Sequence, residues 1–291
     1  MYSAIAANQR NTVVIMLLFI AIIAGLGWVF SMAYGSTGIF WGALVGGGVY
    51  ALIQYFAAAK LALAMNGAKE IQKRDNPRLY RIVENLSITN GMPMPKVYVV
   101  DDPAPNAFAT GRDPEHAYVA ATTGILELMS DRELTAVMAH EMGHVKNYDI
   151  RVMMIVFGLV SAIGLIADML SRAFWFSDSD NRPSNPIFIV IAVVAAVIAP
   201  LVAILVQAAV SRQREYLADA TGAMTTRDPE ALADALEKLG TVSTATIRQN
   251  TSTAHLFFAN PLKSGSLLNA FSTHPPLEER VARLRSIGTK F

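Results

Sequence analysis

Four long apolar runs constrain the fold of this chain more than any other feature of its sequence. Two of them, Thr12 to Ala33 and Gly38 to Ala59, contain no charged residue. Val152 to Leu170 contains only Asp168, and Ile187 to Val210 contains none. A membrane-spanning helix needs about 20 apolar residues, so the sequence predicts four transmembrane helices in two hairpins. Asp168 leaves open the alternative that the second hairpin does not cross the bilayer completely.

The charges around these runs predict their orientation. Basic residues follow the second and the fourth run: Lys60, Lys69, Lys73, Arg74, Arg212 and Arg214. An excess of Lys and Arg marks the cytoplasmic side of a membrane protein, so both hairpins should begin and end in the cytoplasm. We therefore divide the chain into a transmembrane hairpin at 1–59, a cytoplasmic region at 60–151, a second transmembrane hairpin at 152–210 and a second cytoplasmic region at 211–291.

The composition narrows the possible partners. Hydrophobic residues make up 53% of the chain and charged residues only 16%, whereas a typical soluble domain has about 25% charged residues. The lipid bilayer is therefore an expected partner. The net charge of +1 gives no indication of a nucleic-acid partner. The chain has no cysteine, which excludes disulfides and thiolate metal sites, so a metal would be bound by His, Asp, Glu or water.

The strongest chemical signal is the motif H-E-x-x-H at residues 140–144. Residues four apart lie on one face of a helix, so His140 and His144 can bind a single zinc ion with their imidazoles. Glu141 can then reach a water molecule activated by that metal, and it is expected to act as the general base and to pass the proton to the leaving amine. The motif therefore predicts zinc-dependent hydrolysis of peptide bonds.

Zinc bound by two histidines of one helix usually takes a third protein ligand, and Glu215 is the best candidate. Glu215 lies five residues after the fourth apolar run, and His144 lies eight residues before the third. At about 1.5 Å per helical residue, these positions are roughly 8 and 12 Å from the membrane boundary. Asp219 follows Glu215 by four residues, and it could accept a hydrogen bond from the second ring nitrogen of a zinc-binding histidine.

The rest of the cytoplasmic sequence predicts a mainly helical domain with a small β-sheet. Helical spacing of apolar residues, with a capping box of Ser130 and Glu133 before the H-E-x-x-H helix, predicts helices at 77–90, 131–147, 229–239 and 276–287. Strand-forming composition and turn residues predict strands at 96–102, 106–110 and 117–122. The expected fold class is an α+β membrane protein with four transmembrane helices and a zincin-like cytoplasmic domain.

Further motifs give the chain a resemblance to the HtpX family of bacterial membrane zinc proteases. After H-E-x-x-H and an apolar hairpin come S-R-x-R-E-x-x-A-D at 211–219 and S-T-H-P-P at 272–276. The segments N-A-F-A-T-G at 106–111 and T-T-G at 122–124 also match. The resemblance covers essentially the whole chain.

This resemblance implies a set of site residues and a biological role. It implies that Glu215 is the third zinc ligand and that His274 lies near the oxyanion and stabilises the tetrahedral intermediate. It also implies an edge strand that pairs with extended substrate, formed by Asn106, Ala107, Phe108 and Ala109. The implied role is quality control, in which misfolded or damaged membrane proteins are cut at the cytoplasmic face of the bacterial inner membrane.

Two other functions remain open from the residues alone. A processing peptidase similar to the CAAX prenyl proteases would share the zinc core, but it would need more spans than four. A catalytically silent membrane scaffold would be expected not to bind zinc. The complete set of His140, Glu141, His144 and Glu215 favours the protease.

Overall fold

The computed structural model describes residues 2–159, 161, 212–242, 258 and 275–288. Its helices are α1 (Tyr2–Tyr34), α2 (Thr37–Met65), α3 (Pro77–Asn90), α4 (Thr123–Leu128), α5 (Asp131–Lys146), α6 (Arg212–Thr226), α7 (Pro229–Thr241) and α8 (Leu277–Gly288). Its strands are β1 (Ala68–Glu70), β2 (Lys96–Val100), β3 (Ala107–Gly111) and β4 (Ala117–Thr122). Residues 149–159 are also helical. The described chain is therefore mostly helical with a small sheet.

The first two helices form the predicted hairpin, and only Gly35 and Ser36 separate them. Two stretches, Ala6–Trp28 and Thr37–Met65, are long and apolar enough to cross a membrane. Large apolar side chains of these helices are more than half exposed: Val13, Val14, Leu17, Trp28, Met32, Trp41, Val45, Val49, Leu52, Ile53 and Phe56. An apolar surface of this extent suits contact with lipid.

The predicted second hairpin lies mostly outside the described residues. Where its first run is described, at residues 152–159, the chain is helical and packs against the first hairpin. Val152 and Val156 are fully buried in a cluster with Ile15 and Phe19 of α1 and Ala51 of α2. The beginning of the third apolar run is thus held by the two membrane helices. The division of the chain at 59, 151 and 210 stays a prediction.

The sheet has the strand order β1-β2-β4-β3 and is mixed. Strands β2 and β4 are parallel, whereas β1 and β3 pair antiparallel with their neighbours. Three strands lie where the sequence predicts them. Strand β1 was not predicted because its three residues show no alternation of apolar and polar side chains. It forms by pairing with the free edge of β2, with Ala68 opposite Val100.

The helices around the sheet form the main core of the described chain outside the first hairpin. The helices predicted at 77–90, 131–147, 229–239 and 276–287 are present, with ends shifted by no more than two residues. The core contains Leu79 of α3, Ala109 of β3, Val137 of α5, Leu232 of α7 and Leu284 of α8. Helix α5 thus lies at the centre of the domain, with the sheet and the carboxy-terminal helices packed around it.

Candidate metal centre

The two histidines of the H-E-x-x-H motif lie on the buried face of α5. The helix starts with the predicted capping box, in which the Ser130 backbone N–H donates to Glu133 Oε2 at 2.8 Å and the Glu133 N–H donates to Ser130 Oγ at 3.3 Å. His140 and His144 are both buried, and their Nε2 atoms are 3.2 Å apart. Because the two residues are one helical turn apart, their Nε2 atoms face the same position, which we call the ligand position.

Helix α6 brings the carboxylate of Glu215 to the same place. Glu215 Oε2 lies 3.8 Å from His140 Nε2, and Glu215 Oε1 lies 3.6 Å from His144 Nε2. A candidate ligand atom from each of the three residues lies within 4.8 Å of the other two. Two imidazole nitrogens and one carboxylate oxygen are a donor set that suits catalytic zinc.

Small residues allow α5 and α6 to cross this closely. A methyl group on Gly143 would lie 3.3 Å from the Ala218 carbonyl oxygen, and one on Gly222 would lie 3.0 Å from the His140 backbone nitrogen. Real side chains rarely approach backbone atoms at such distances, so larger residues would push the helices apart. Gly143, the second x of H-E-x-x-H, therefore contributes to the site by allowing α5 and α6 to pack closely.

The Nδ1 atom of each histidine, on the side of the ring away from the ligand position, lies next to a carboxylate. Asp219 Oδ1 lies 2.8 Å from His140 Nδ1, in a close contact that is not a well-aligned hydrogen bond. Asp149 Oδ2 lies 3.0 Å from His144 Nδ1. Carboxylates in this position fix the orientation of a metal-binding imidazole. Sequence reasoning missed Asp149, whose signal is a single carboxylate three residues before an apolar run.

Arg280 of α8 is a second residue that sequence reasoning missed. Its side chain is fully buried, and Nε and Nη2 donate to the two carboxylate oxygens of Asp219 at 2.9 and 2.7 Å. It also lies over the ring of Phe258 at 5.0 Å and 3.8 Å from Glu215 Oε2. A sequence signal exists, because Arg280 falls on the apolar stripe of α8, three residues after Leu277.

The buried charges of the site favour a bound cation. The carboxylates of Glu141, Asp149, Glu215 and Asp219 are opposed by the guanidinium groups of Arg214 and Arg280, and all six are at most 9% exposed. With neutral imidazoles, four negative charges against two positive ones leave two uncompensated. Buried charges are costly unless they are paired, so a divalent cation at the ligand atoms would balance the site. The residues present therefore fit zinc.

The pKa values of the two histidines also favour a cation at this place. Burial opposes the charged form of His144, but Asp149, Glu215 and Glu141 outweigh it and raise the pKa of His144 to about 9. Burial lowers the pKa of His140 to about 4, even though Asp219 opposes the change. One proton is thus attracted to the histidine pair, at the place where a metal cation would replace it.

The structure places the other predicted site residues as follows. Glu141 is 2% exposed and lies on α5 between the histidines. Asn106 precedes β3, which forms an edge of the sheet, and Asn106, Ala107, Phe108 and Ala109 are all buried. The Phe258 N–H donates to the Ala107 carbonyl at 2.9 Å, and the Phe258 ring lies 4.9 Å from that of His140. His274 lies outside the described residues.

Comparison with known proteins identifies relatives over the full length of the chain. Residues 73–288 match the model of Peptidase family M48. The chain is 55% identical over 291 residues to "Protease HtpX homolog" of Tropheryma whipplei (strain Twist), covering 100% of both chains. It is 44% identical over 300 residues to "Protease HtpX homolog" of Lactobacillus helveticus, covering 99% of this chain and 100% of that protein.

A solved structure shares the fold. The crystal structure of S. mikatae Ste24p superposes with a TM-score of 0.52 at 19% identity, covering 98% of this chain and 67% of that one.

Proposed function

This chain belongs to peptidase family M48, and on that premise we propose that it cuts misfolded or damaged membrane proteins at the cytoplasmic face of the bacterial inner membrane. The chain is a membrane zinc metalloprotease. The observation that carries the proposal is the convergence of His140, His144 and Glu215 beside Glu141, at the end of two helices that can span a membrane.

His140, His144 and Glu215 would hold the zinc ion, and the neighbouring residues prepare them for it. When bound, zinc supplies Lewis acidity, which polarises a peptide carbonyl and makes a water molecule more acidic. Asp219 and Asp149 hold the two imidazoles by their Nδ1 atoms, so that the Nε2 atoms face the ligand position. Arg280 neutralises Asp219 and keeps its carboxylate fixed.

Glu141 carries the proton transfers in this proposal. Its carboxylate is buried and close enough to His144 to help raise the pKa of that histidine. We infer that it accepts a proton from the attacking water and returns it to the leaving amine. Burial excludes competing water and strengthens these electrostatic interactions. We assign stabilisation of the oxyanion to His274, on the basis of its S-T-H-P-P motif.

Substrate would bind through its backbone at the edge of β3. The strand packs against α5, so a peptide paired with it would run past the ligand position. Backbone pairing gives affinity with little dependence on side chains, which suits a protease that accepts many damaged proteins. In the structure the Phe258 N–H donates a hydrogen bond to the Ala107 carbonyl of β3. Substrate would have to displace Phe258 from this strand.

The cytoplasmic orientation rests on the charges next to the described spans. Lys60 is the first charged residue of α2, and Lys69, Lys73 and Arg74 follow it. These residues lie on the same side of the first hairpin as the metal centre. An excess of basic residues on that side is typical of the cytoplasmic face.

The experiment that tests the function compares three detergent-purified proteins: the wild type, Glu141→Gln and Glu127→Gln. Glu127 is an exposed glutamate on α4, so it serves as a matched control. Cleavage of an unfolded model protein and zinc content are measured on each. We expect all three to bind one zinc ion and only Glu141→Gln to lose cleavage, by at least about 100-fold, since it lacks the general base.

Two outcomes would contradict the assignment. Normal cleavage by Glu141→Gln would exclude Glu141 as the base. Zinc in all three proteins without cleavage by any would leave the metal centre in place and exclude unfolded proteins as substrates, and prenylated peptides would then be tested.

A further inference from the structure

The side chain of Asn8 connects the amino-terminal helix to the metal centre. Asn8 is 4% exposed and lies in the second turn of α1. Its Nδ2 donates two hydrogen bonds, to Asp149 Oδ1 at 2.7 Å and to the Asn147 carbonyl at 2.8 Å. Both acceptors lie in the short segment that follows α5, more than 130 residues along the chain.

These bonds extend a chain of contacts that ends at a zinc ligand. The second oxygen of Asp149, Oδ2, lies 3.0 Å from Nδ1 of His144. The Asp149 carboxylate is fully buried, so its orientation depends on its hydrogen-bond partners. An amide NH₂ group has two donors, and Asn8 uses them to connect the carboxylate to the backbone at Asn147. The connection fixes Asp149 with one oxygen towards His144.

We propose that Asn8 is a positioning residue for zinc binding, which acts on His144 through Asp149. The membrane anchor is then also a part of the metal centre. Without the Asn8 amide, Asp149 Oδ1 loses its 2.7 Å hydrogen bond, and the orientation of this buried carboxylate towards His144 is held less firmly. Tight zinc binding should therefore require that the first turns of α1 are seated against residues 147–149.

The proposal is tested by zinc affinity, so it does not depend on the identity of the substrate. All variants are made in the full-length Glu141→Gln protein, which prevents self-cleavage. The zinc dissociation constant is measured in detergent by competition with a chromophoric chelator. We expect Asn8→Ala to weaken zinc binding by about 10- to 100-fold, the range found when outer partners of metal ligands are lost. Asn8→Asp conserves the size of the side chain but replaces its two N–H donors by a negative charge next to the Asp149 carboxylate. It should therefore weaken zinc binding further.

Thr12→Val is the matched control. Thr12 lies one turn further along α1 and is also buried, and its hydroxyl has no hydrogen-bond partner among the described residues. This variant alters the same helix face without touching Asp149, so zinc affinity should change less than about twofold. An equal loss in Thr12→Val and Asn8→Ala would show a general effect of α1 packing and would overturn the proposal.

A double-mutant cycle separates the relay from other effects of Asn8. If Asn8 acts through Asp149, the Asn8→Ala change should have almost no effect on zinc affinity once Asp149→Ala is present. The thermal unfolding midpoint of each zinc-free variant is recorded to detect loss of folding. Unchanged zinc affinity in folded Asn8→Asp, or an undiminished effect of Asn8→Ala in the Asp149→Ala protein, would contradict the assignment.

Discussion

Replacing Arg280 with Met should destabilise the protein strongly, because it leaves the Asp219 carboxylate without its buried counter-charge. The Arg280 side chain is fully buried, and its two bonds to Asp219 are 2.9 and 2.7 Å long. Methionine fills much of the arginine volume, so the main change is the loss of charge. Breaking a buried ion pair by removing one partner costs about 3–5 kcal/mol.

The assay is thermal unfolding of zinc-loaded protein in detergent, again in the Glu141→Gln background. A loss of 3–5 kcal/mol should lower the apparent midpoint on the order of 10 °C, at about 2–4 °C per kcal/mol for a chain of this size. Arg285→Ala, which removes an exposed arginine of the same helix paired with Glu230 and Glu237, should change the midpoint little.

Two measurements test whether the unpaired charge of Asp219 causes the loss of stability. They are the pH dependence of unfolding and the stability of the double variant Arg280→Met with Asp219→Asn. Burial would raise the pKa of Asp219, but Arg280 and His140 lower it to about 2. A lowered pKa means that the stabilisation is complete above the ordinary value of 3.8 and is lost as the pH falls through about 2, so the effect should be equal at pH 6 and pH 8. Adding Asp219→Asn should recover part of the loss, since the unpaired charge is removed. A midpoint equal to that of the parent, or a double variant less stable than Arg280→Met, would refute this explanation.

Two further variants test the packing and the capping of α5. Gly222→Val should cost about 1–3 kcal/mol of stability and weaken zinc binding, because its side chain would meet the His140 backbone. Gly240→Ala, whose methyl would lie 3.5 Å from Leu277 Cδ1, should be tolerated in the same zinc titration. Burial would raise the pKa of Glu133, but Lys238 and Ser130 lower it below its ordinary value of 4.5. Glu133→Gln should therefore lose about 1 kcal/mol at pH 7. The difference from wild type in urea unfolding should disappear as the pH falls below the lowered pKa, and a difference that grows in acid would exclude this role.

The features that the sequence determined are those that depend on local periodicity. The spacing of His140 and His144 places them on one face of α5 in any helix, because a helical turn has about 3.6 residues. Ser130 and Glu133, three residues apart, define the start of that helix by the hydrogen bonds of the capping box. The first two apolar runs are long enough to act as membrane helices by composition alone.

The tertiary structure decided which distant residues complete the metal centre. The sequence offered Glu215 as a candidate, but its approach to His140 depends on a helix crossing that Gly143 and Gly222 permit. Asp149, Arg280 and Asn8 belong to no motif, and only Arg280 has a local signal, which is its position on the apolar stripe of α8. Their roles arise because three other parts of the chain pack around α5 and bury them together, where unpaired polar groups would be costly. The spacing of residues along a helix determines which side chains lie on the same face. Only tertiary packing determines which residues from other parts of the chain contact that face.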